Sequence, residues 1–341
     1  MQQLASARGP LSERLLAALT AASRDGRALL CDGAPPPVAD PLADDDLQLA
    51  LYLCYELHYR GLPGVDERWE WDPALLGWRG ALEAFFEDAL RTAVRAPAPP
   101  DDPAEMDLAL RAVADADDAP PLSRMLETQG TLEQLREFLV HRSAYQLKEA
   151  DPHSWAIARL SGAPKAALVE IQADEYGGGR AERIHAELFR ATMIALGLDG
   201  RYGAYVDALP GVTLATVNLM SLCGLHRRLR GAIVGHLALF EMTSSVPNRR
   251  YGDALRRLGL GAPATDFFDE HVEADAVHEA VAAVDLAGGL ARAEPALAPD
   301  ILWGAAALVE LEGRWARHLV DDWEAGRSSL RARLDDPLVA A

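Results

Sequence analysis

The sequence has few of several features, and each shortage excludes a class of protein. Its three cysteines, Cys31, Cys54 and Cys223, lie too far apart to form a zinc ribbon, a thioredoxin-type redox pair or a covalent haem site. No apolar run approaches the ~18 residues that a membrane-spanning helix needs, and the first residues lack the pattern of a signal peptide. We therefore expect a protein of the reducing cytoplasm without a membrane partner.

Basic residues are also scarce, because 33 lysines and arginines face 52 aspartates and glutamates. The formal net charge of −19 disfavours nucleic acid and anionic membranes as partners, since both carry phosphates that would be repelled. Half of the residues are hydrophobic, which is ordinary for a globular protein with a real core. At 341 residues the chain is long enough for one large domain or for a core with an extension.

Patterns typical of β-strands are nearly absent, since no alternating β-branched run is bounded by hairpin turns. Helical periodicity with helix-start and helix-stop residues is present instead, and it predicts an all-α fold. The predicted helices cover residues 11–22, 44–59, 73–94, 131–149, 165–176, 181–196, 213–243, 247–258, 265–286 and 299–325, and a further short helix lies between residues 103 and 115.

Two segments rich in proline and aspartate, 96–103 and 115–121, interrupt the helical pattern in the first third of the chain. They predict an N-terminal helical extension over residues 1–120 and a domain over residues 121–330 that carries the chemistry. The pattern becomes more regular from Thr131, which is a predicted N-cap with Gln134 in the capping-box position.

The run from 267 to 281 contains the clearest candidate for a metal site. In an α-helix, His271, Asp275 and His278 fall within roughly 60° of one another, so two imidazoles and a carboxylate point the same way. Two nitrogens and one oxygen suit a divalent iron, manganese or zinc ion. The alternative is a solvated polar stripe, because three glutamates also lie in this run.

Further metal ligands are expected where a polar residue takes a position that would otherwise be apolar. Glu241 lies near the end of the most hydrophobic helix, where a bare carboxylate would be costly to bury without a cation. His185 lies between apolar neighbours, Glu175 precedes three glycines, and Glu149 ends a predicted helix. Each of these has an ordinary structural explanation, as a core histidine or a helix-terminal glutamate.

Together these residues resemble the haem-oxygenase-like diiron oxidases and oxygenases, a family also described as iron-containing redox enzymes. The resemblance covers roughly residues 130–290 and rests on spacing as much as on identity. In that family a Glu on the first core helix is followed by a His, with an extra Glu between them in some members, and a later Glu precedes a His-x3-Asp-x2-His helix. The matching positions are Glu149, Glu175, His185, Glu241, His271, Asp275 and His278.

The resemblance implies a haem-oxygenase-like helical bundle whose cofactors are two Fe(II) ions, with O2 as the co-substrate. It implies that the ferrous pair reduces O2 to a peroxo-diferric species that oxidises a bound small molecule, with Glu175 as a bridging or gating carboxylate. Four carboxylates in the set would repel one another without metal, and two ferrous ions would neutralise them. An external electron donor and a homodimer are further expectations.

The extra carboxylate, Glu175, resembles the nitrogen-oxygenating subset of the family, which favours N-oxygenation of an amine or amino acid in natural-product biosynthesis. Desaturation or C–C cleavage of an amino or fatty acid by the same site is one alternative. A metal-free enzyme of the same superfold, similar to thiaminase-type hydrolases or a cofactorless oxidase, is another. A haem-binding oxygenase is disfavoured, because it needs one proximal histidine rather than a carboxylate cage.

Candidate substrate contacts lie within about a turn of the proposed ligands, although aromatic residues at helical spacing are more often simple core. The aromatic candidates are Tyr145, Trp155, Tyr176, Phe240 and Phe268. The candidates for binding a substrate carboxylate are Arg142, Lys165 and Arg230, for which an ordinary salt bridge is the alternative.

Overall fold

The protein is helical throughout the part that the structure describes. This structure, a computed structural model, describes residues 4–21, 23–31 and 38–334, and it describes residues 23, 24 and 274–277 by their backbone alone. No strand occurs in these ranges, which confirms the predicted all-α class. None of the described helices combines the length and the apolar composition needed to cross a bilayer.

The α-helices are numbered in chain order, and α13 continues into a π-helical segment, Val281–Gly288. The helices are α1 (Pro10–Thr20), α2 (Ser23–Cys31), α3 (Asp45–Glu56), α4 (Pro73–Ala93), α5 (Met106–Asp115), α6 (Leu122–Gln129), α7 (Leu132–Gln146), α8 (Asp151–Ser154), α9 (Gly162–Glu175), α10 (His185–Ala195), α11 (Gly211–Leu225), α12 (Arg230–Arg257), α13 (Asp266–Ala280), α14 (Gly289–Ala293) and α15 (Ala298–Glu324).

Side-chain caps fix the starts of two predicted helices. Asp44 accepts hydrogen bonds from the backbone N–H groups of Asp46 and Leu47 at 3.1 and 2.7 Å, and α3 begins directly after it. Thr131 forms the predicted capping box with Gln134 at the start of α7. Because these side chains satisfy N–H groups that a helix start leaves without partners, they set the boundaries.

The boundaries predicted for helices at 213–243 and 247–258 are wrong. α11 ends at Leu225, and α12 runs unbroken from Arg230 to Arg257 through Pro247. The break falls at residues 226–229, where Arg228 turns to the surface and donates two hydrogen bonds, of 2.8 and 2.5 Å, to Glu87. Pro247 does not end α12, because buried residues on both sides of it hold the helix in the core despite the lost hydrogen bond.

α12 packs against both α13 and α15, and its crossing with α15 is very close. Gly235 of α12 faces the backbone of Ile301, and Gly304 of α15 faces the backbone of Ala232. A Cβ atom added at either glycine would collide with the facing carbonyl oxygen. The crossing therefore requires a residue without a side chain at both positions.

The N-terminal residues pack directly on later helices. α3 lies against α11, and Glu56 at its end forms a buried ion pair with Lys148, which follows α7. The second carboxylate oxygen of Glu56 accepts a hydrogen bond of 2.5 Å from the hydroxyl of Tyr202. The predicted division of the chain at residue 120 stays a prediction.

Candidate metal centre

Glu149 lies in a tight turn after α7 rather than on the helix itself. The helix predicted to reach residue 149 ends at Gln146, and Ala150 adopts a left-handed backbone conformation with a φ of 72°. The carbonyl oxygen of Ala150 accepts a hydrogen bond of 2.8 Å from Nε2 of Gln172 on α9. A left-handed alanine is strained and persists only where its surroundings hold it, so this turn fixes the position of the buried Glu149.

Glu175 and His185 flank a loop that begins with three glycines. Glu175 is the last residue of α9, and His185 is the first residue of α10, four residues later than the predicted helix start at 181. Gly177, Gly178 and Gly179 all have positive φ, which residues with side chains rarely adopt. This loop brings Oε2 of Glu175 to 2.9 Å from Nδ1 of His185.

The remaining donors come from α12 and α13. Nδ1 of His278 lies 3.4 Å from Oε2 of Glu241 on α12, and Nε2 of His271 lies 3.4 Å from Oε1 of Glu149. Nδ1 of His271 donates a hydrogen bond of 2.8 Å to the carbonyl oxygen of Phe267. Because Nδ1 carries the proton, the neutral ring of His271 presents the lone pair of Nε2 to the carboxylates.

These side chains form two groups that share one residue. The first group contains Glu149, Glu175, His185 and His271, and the second contains Glu175, Glu241 and His278. In each group the ligand atoms all lie within 4.8 Å of one another, and every member is buried. Glu175 belongs to both groups, which is the position that a carboxylate bridging two metal ions would take.

The electrostatics of the cluster are those of crowded, buried acids. Burial raises the pKa of Glu149 and that of Glu241, and the nearby Glu175 carboxylate raises both further. Burial alone would lower the pKa of His278, but the carboxylates of Glu241 and Asp174 outweigh burial and raise it to about 9. The buried carboxylates therefore make one another harder to ionise unless a cation lies among them.

The residues fit a pair of divalent metal ions. Oε2 of Glu149 is buried and has no hydrogen-bond partner among the described residues, which is costly for an acceptor unless a cation lies next to it. The neighbouring Lys148 does not supply that charge, because its ammonium group is paired with Glu56. Carboxylate oxygens and imidazole nitrogens are ligands that Fe(II), Mn(II) and Zn(II) accept.

One predicted ligand lies outside the described residues, and one contact was missed. The helical backbone of α13 includes position 275, but the side chain of Asp275 is not among those described. Asp174 was not predicted as part of the site, and its Oδ2 lies 3.1 Å from Nε2 of His278. A carboxylate behind a metal-binding histidine fixes the ring orientation. The signal for Asp174 in the sequence was its position directly before Glu175.

A small cavity adjoins the two groups, and we call it the metal cavity. Its lining includes Tyr145, Glu149, His153, Gln172, Phe240 and Glu241.

His153 was also not predicted as part of the site, because nothing in the sequence places the turn after α7 beside α12. Its Nε2 lies 3.2 Å from Nδ1 of His236, and its own Nδ1 is buried without a hydrogen-bond partner among the described residues. Burial lowers the pKa of His153 to about 3, so the ring stays neutral.

The predicted aromatic substrate contacts divide into two sets. Tyr145 and Phe240 line the metal cavity, where their rings meet edge to face with centroids 5.7 Å apart. Phe268 lines a larger neighbouring cavity. Among the described residues, Trp155 and Tyr176 line neither cavity: Trp155 packs against Tyr59, and the hydroxyl of Tyr176 donates to Asp151 at 2.9 Å.

Two of the three basic candidates for a substrate carboxylate are engaged in salt bridges. Arg142 lines the larger cavity, but it donates two hydrogen bonds, of 2.8 and 2.6 Å, to Glu312. Arg230 pairs with Glu294. Lys165, near the start of α9, lines neither cavity. For Arg142 and Arg230 the structure favours the ordinary salt bridge.

Comparison with known proteins supports the reading of the site. A family model described as iron-containing redox enzyme matches residues 136–313, which include all seven of the predicted metal ligands. No curated protein matches the chain significantly. The matched segment is more than half of the chain and contains both groups of clustered donors. The chain therefore belongs to the iron-containing redox enzyme family.

Proposed function

We propose that the chain is an O2-dependent non-haem diiron oxidase or oxygenase that oxidises a small molecule. The observation that carries the proposal is the sharing of Glu175 between two buried groups of carboxylate and histidine donors. A site for one metal ion needs a single group. Two groups joined by one carboxylate fit two ions held close together.

The roles of the residues follow from their positions. Glu149, His185 and His271 would hold one ion, Glu241 and His278 would hold the other, and Glu175 would bridge them. Ferrous ions bound there would supply the electrons for activating dioxygen. The backbone carbonyl of Phe267 orients His271. The rings of Tyr145 and Phe240, which line the metal cavity, would exclude water from the bound ions.

The reaction that we favour is N-oxygenation of an amine or amino acid. The third buried carboxylate, Glu175, supports it, because that residue resembles the extra ligand of the nitrogen-oxygenating members of the family. Desaturation or C–C cleavage at the same site is the alternative. A metal-free enzyme of the same fold is disfavoured by the clustered acids, since it would have to bury them without a neutralising cation.

Iron binding tests the proposal directly. We expect the purified chain to bind two ferrous ions, and His278→Ala and Glu175→Gln each to lose at least one of them, measured by metal analysis after anaerobic loading. Glu170→Gln is the matched control, because Glu170 is exposed and lies on the same helix as Glu175. Ferrous iron at about 100 times its Kd should also stabilise the wild type by about 2.7 kcal/mol for each ion bound.

Oxygen consumption tests the enzymatic part of the proposal. Stopped-flow measurement of the iron-loaded chain against a panel of amines, amino acids and fatty acids should reveal rapid O2 consumption with the true class of substrate. It should be lost in His278→Ala and kept in Glu170→Gln. Unchanged iron content in both His278→Ala and Glu175→Gln would contradict the diiron assignment.

A further inference from the structure

A second cavity, about 420 Å³ in volume, lies next to the metal cavity. We call it the aromatic chamber, and its walls come from α7, α10, α12, α13, α15 and the segment at 114–123. Phe240 and Ser244 line both the chamber and the metal cavity. These two residues lie on either side of Glu241 on α12, so the chamber meets the proposed metal centre at that helix.

Aromatic rings form a continuous wall of the chamber. The ring centroids of Phe138 and Tyr251 are 4.4 Å apart, those of Tyr251 and Phe268 are 5.8 Å apart, and those of Phe268 and Phe267 are 5.2 Å apart. Such a wall favours stacked or edge-on contacts with the rings of a ligand. Since a cavity of roughly 150 Å³ holds benzene, the chamber has room for two or three rings.

The chamber does not offer a cation to a negatively charged ligand. Arg142 is the one basic side chain among the described residues of the lining. Both of its outer nitrogens donate to Glu312, and its guanidinium lies 3.9 Å from the ring centroid of Trp315. A ligand carboxylate would therefore be buried without a partner, which is strongly unfavourable.

The chamber does offer an acceptor to a ligand N–H group. Oε1 of Gln146 is buried and has no hydrogen-bond partner among the described residues. Gln146 lines the chamber, and its neighbour Tyr145 lines the metal cavity. A donor that binds Oε1 of Gln146 would thus be held in the chamber, one residue along α7 from a side chain that lines the metal cavity.

We propose that the aromatic chamber binds an aromatic amine of two or three rings and without a carboxylate. Its rings pack on the wall that includes Phe138, Tyr251 and Phe268, and its ammonium group donates a hydrogen bond to Oε1 of Gln146. The charge of the ammonium is tolerated because the lining contains two carboxylates, those of Asp117 and Glu312, and one guanidinium. One part of the proposal rests on the proposed function, namely that this ligand is the substrate of the metal site. The binding itself requires neither iron nor dioxygen.

Calorimetric titration of the full-length, metal-free chain with three probes tests the ligand class. The probes are 1-naphthylmethylamine, the ring-matched acid 1-naphthylacetate, and heptylamine, which has the amine without rings. We expect the naphthyl amine to bind at least about 10-fold more tightly than either of the others, which is a readily measured difference in Kd. Equal or tighter binding of the acid or of heptylamine would overturn the proposal.

Replacement of Gln146 tests the position of the nitrogen. Gln146→Leu should weaken binding of the naphthyl amine roughly 3- to 10-fold, as expected for one lost hydrogen bond. Gln129→Leu should leave it unchanged, because Gln129 is exposed at the end of α6 and lies outside the chamber lining. Gln146→Met serves the same purpose if Gln146→Leu does not fold. Unchanged affinity in the folded Gln146 variant would refute the assigned contact.

The two proposals fail separately in these measurements. A chain that binds the naphthyl amine but no iron would contradict the diiron function and leave the aromatic chamber standing as a binding site. A chain that binds iron but prefers the acid or the ring-free amine would contradict the ligand class alone.

Discussion

The buried histidine beside the metal cavity predicts a loss of stability in acid. His153 is almost fully buried, and burial lowers its pKa from the ordinary 6.5 to about 3. The folded protein therefore keeps this ring neutral, whereas the unfolded chain protonates it below about pH 6.5. Because the unfolded state then binds more protons, stability must fall as the pH falls from 6.5 towards 3.

The size of the effect follows from the pKa shift. A shift from 6.5 to about 3 corresponds to about 5 kcal/mol once the pH lies below both values. At about pH 5 the unfolded chain has already gained about 2 kcal/mol from protonating this one residue. Replacing His153 by Gln removes the titrating group, so the variant should lack this part of the acid sensitivity.

Urea unfolding of the metal-free protein at a series of values between about pH 5 and pH 7.5 measures the effect. Wild type should lose about 2 kcal/mol more than His153→Gln over this interval. Buried histidines away from this site, such as His141, contribute equally to both proteins and cancel in the difference. His236 contacts His153, so the difference reports this pair of rings, in which the loss of the His153 proton site is the larger change. His153→Asn is the control, because a second side chain that does not titrate must give the same dependence on pH as His153→Gln.

Two results would refute this reasoning. One is an equal dependence on pH in wild type and in both variants. The other is an NMR titration in which the imidazole of His153 takes up a proton between about pH 6 and pH 7, as an exposed ring would.

Two further predictions concern packing and buried charge. Gly235→Ala should lower the free energy of unfolding by roughly 1–3 kcal/mol, because the added Cβ atom meets the backbone of Ile301. Gly80→Ala on α4 is the control, because its Cβ atom enters open space and should not destabilise the protein. Equal losses in urea unfolding would contradict the close crossing. Lys148→Met should lower the free energy of unfolding by roughly 3–5 kcal/mol, because it leaves Glu56 buried without its cation. Adding Glu56→Leu should recover much of this loss. Additive losses in the double variant would contradict the pairing.

Much of the fold was predictable because local rules decide it. The caps at Asp44 and Thr131 satisfy N–H groups within the same few residues, so they are visible in the sequence. The break after α11 was not predictable in this way. It accompanies the pairing of Arg228 with Glu87, a residue 141 positions away.

In the candidate site too, the residue types were predictable from the sequence, but the roles set by distant neighbours were not. Carboxylates and histidines at apolar helical positions are unusual, and six of the seven predicted ligands lie together in the structure, with the side chain of the seventh, Asp275, outside the described residues. Roles that depend on distant neighbours were not predictable. Arg142 was a reasonable carboxylate binder until folding brought Glu312, 170 residues away, to its guanidinium. The position of His153 next to His236 likewise exists only in three dimensions.

The contacts of the N-terminal residues limit how far the protein can be treated as modular. A fragment that began at residue 121 would lack Asp117 and Pro120, which form part of the chamber wall, and would open that wall to solvent. It would also leave the ammonium group of Lys148, the residue before Glu149, buried without a partner, because the fragment lacks Glu56. Excising the family-matched segment alone should therefore weaken both the chamber and the proposed metal centre, even where the fragment folds.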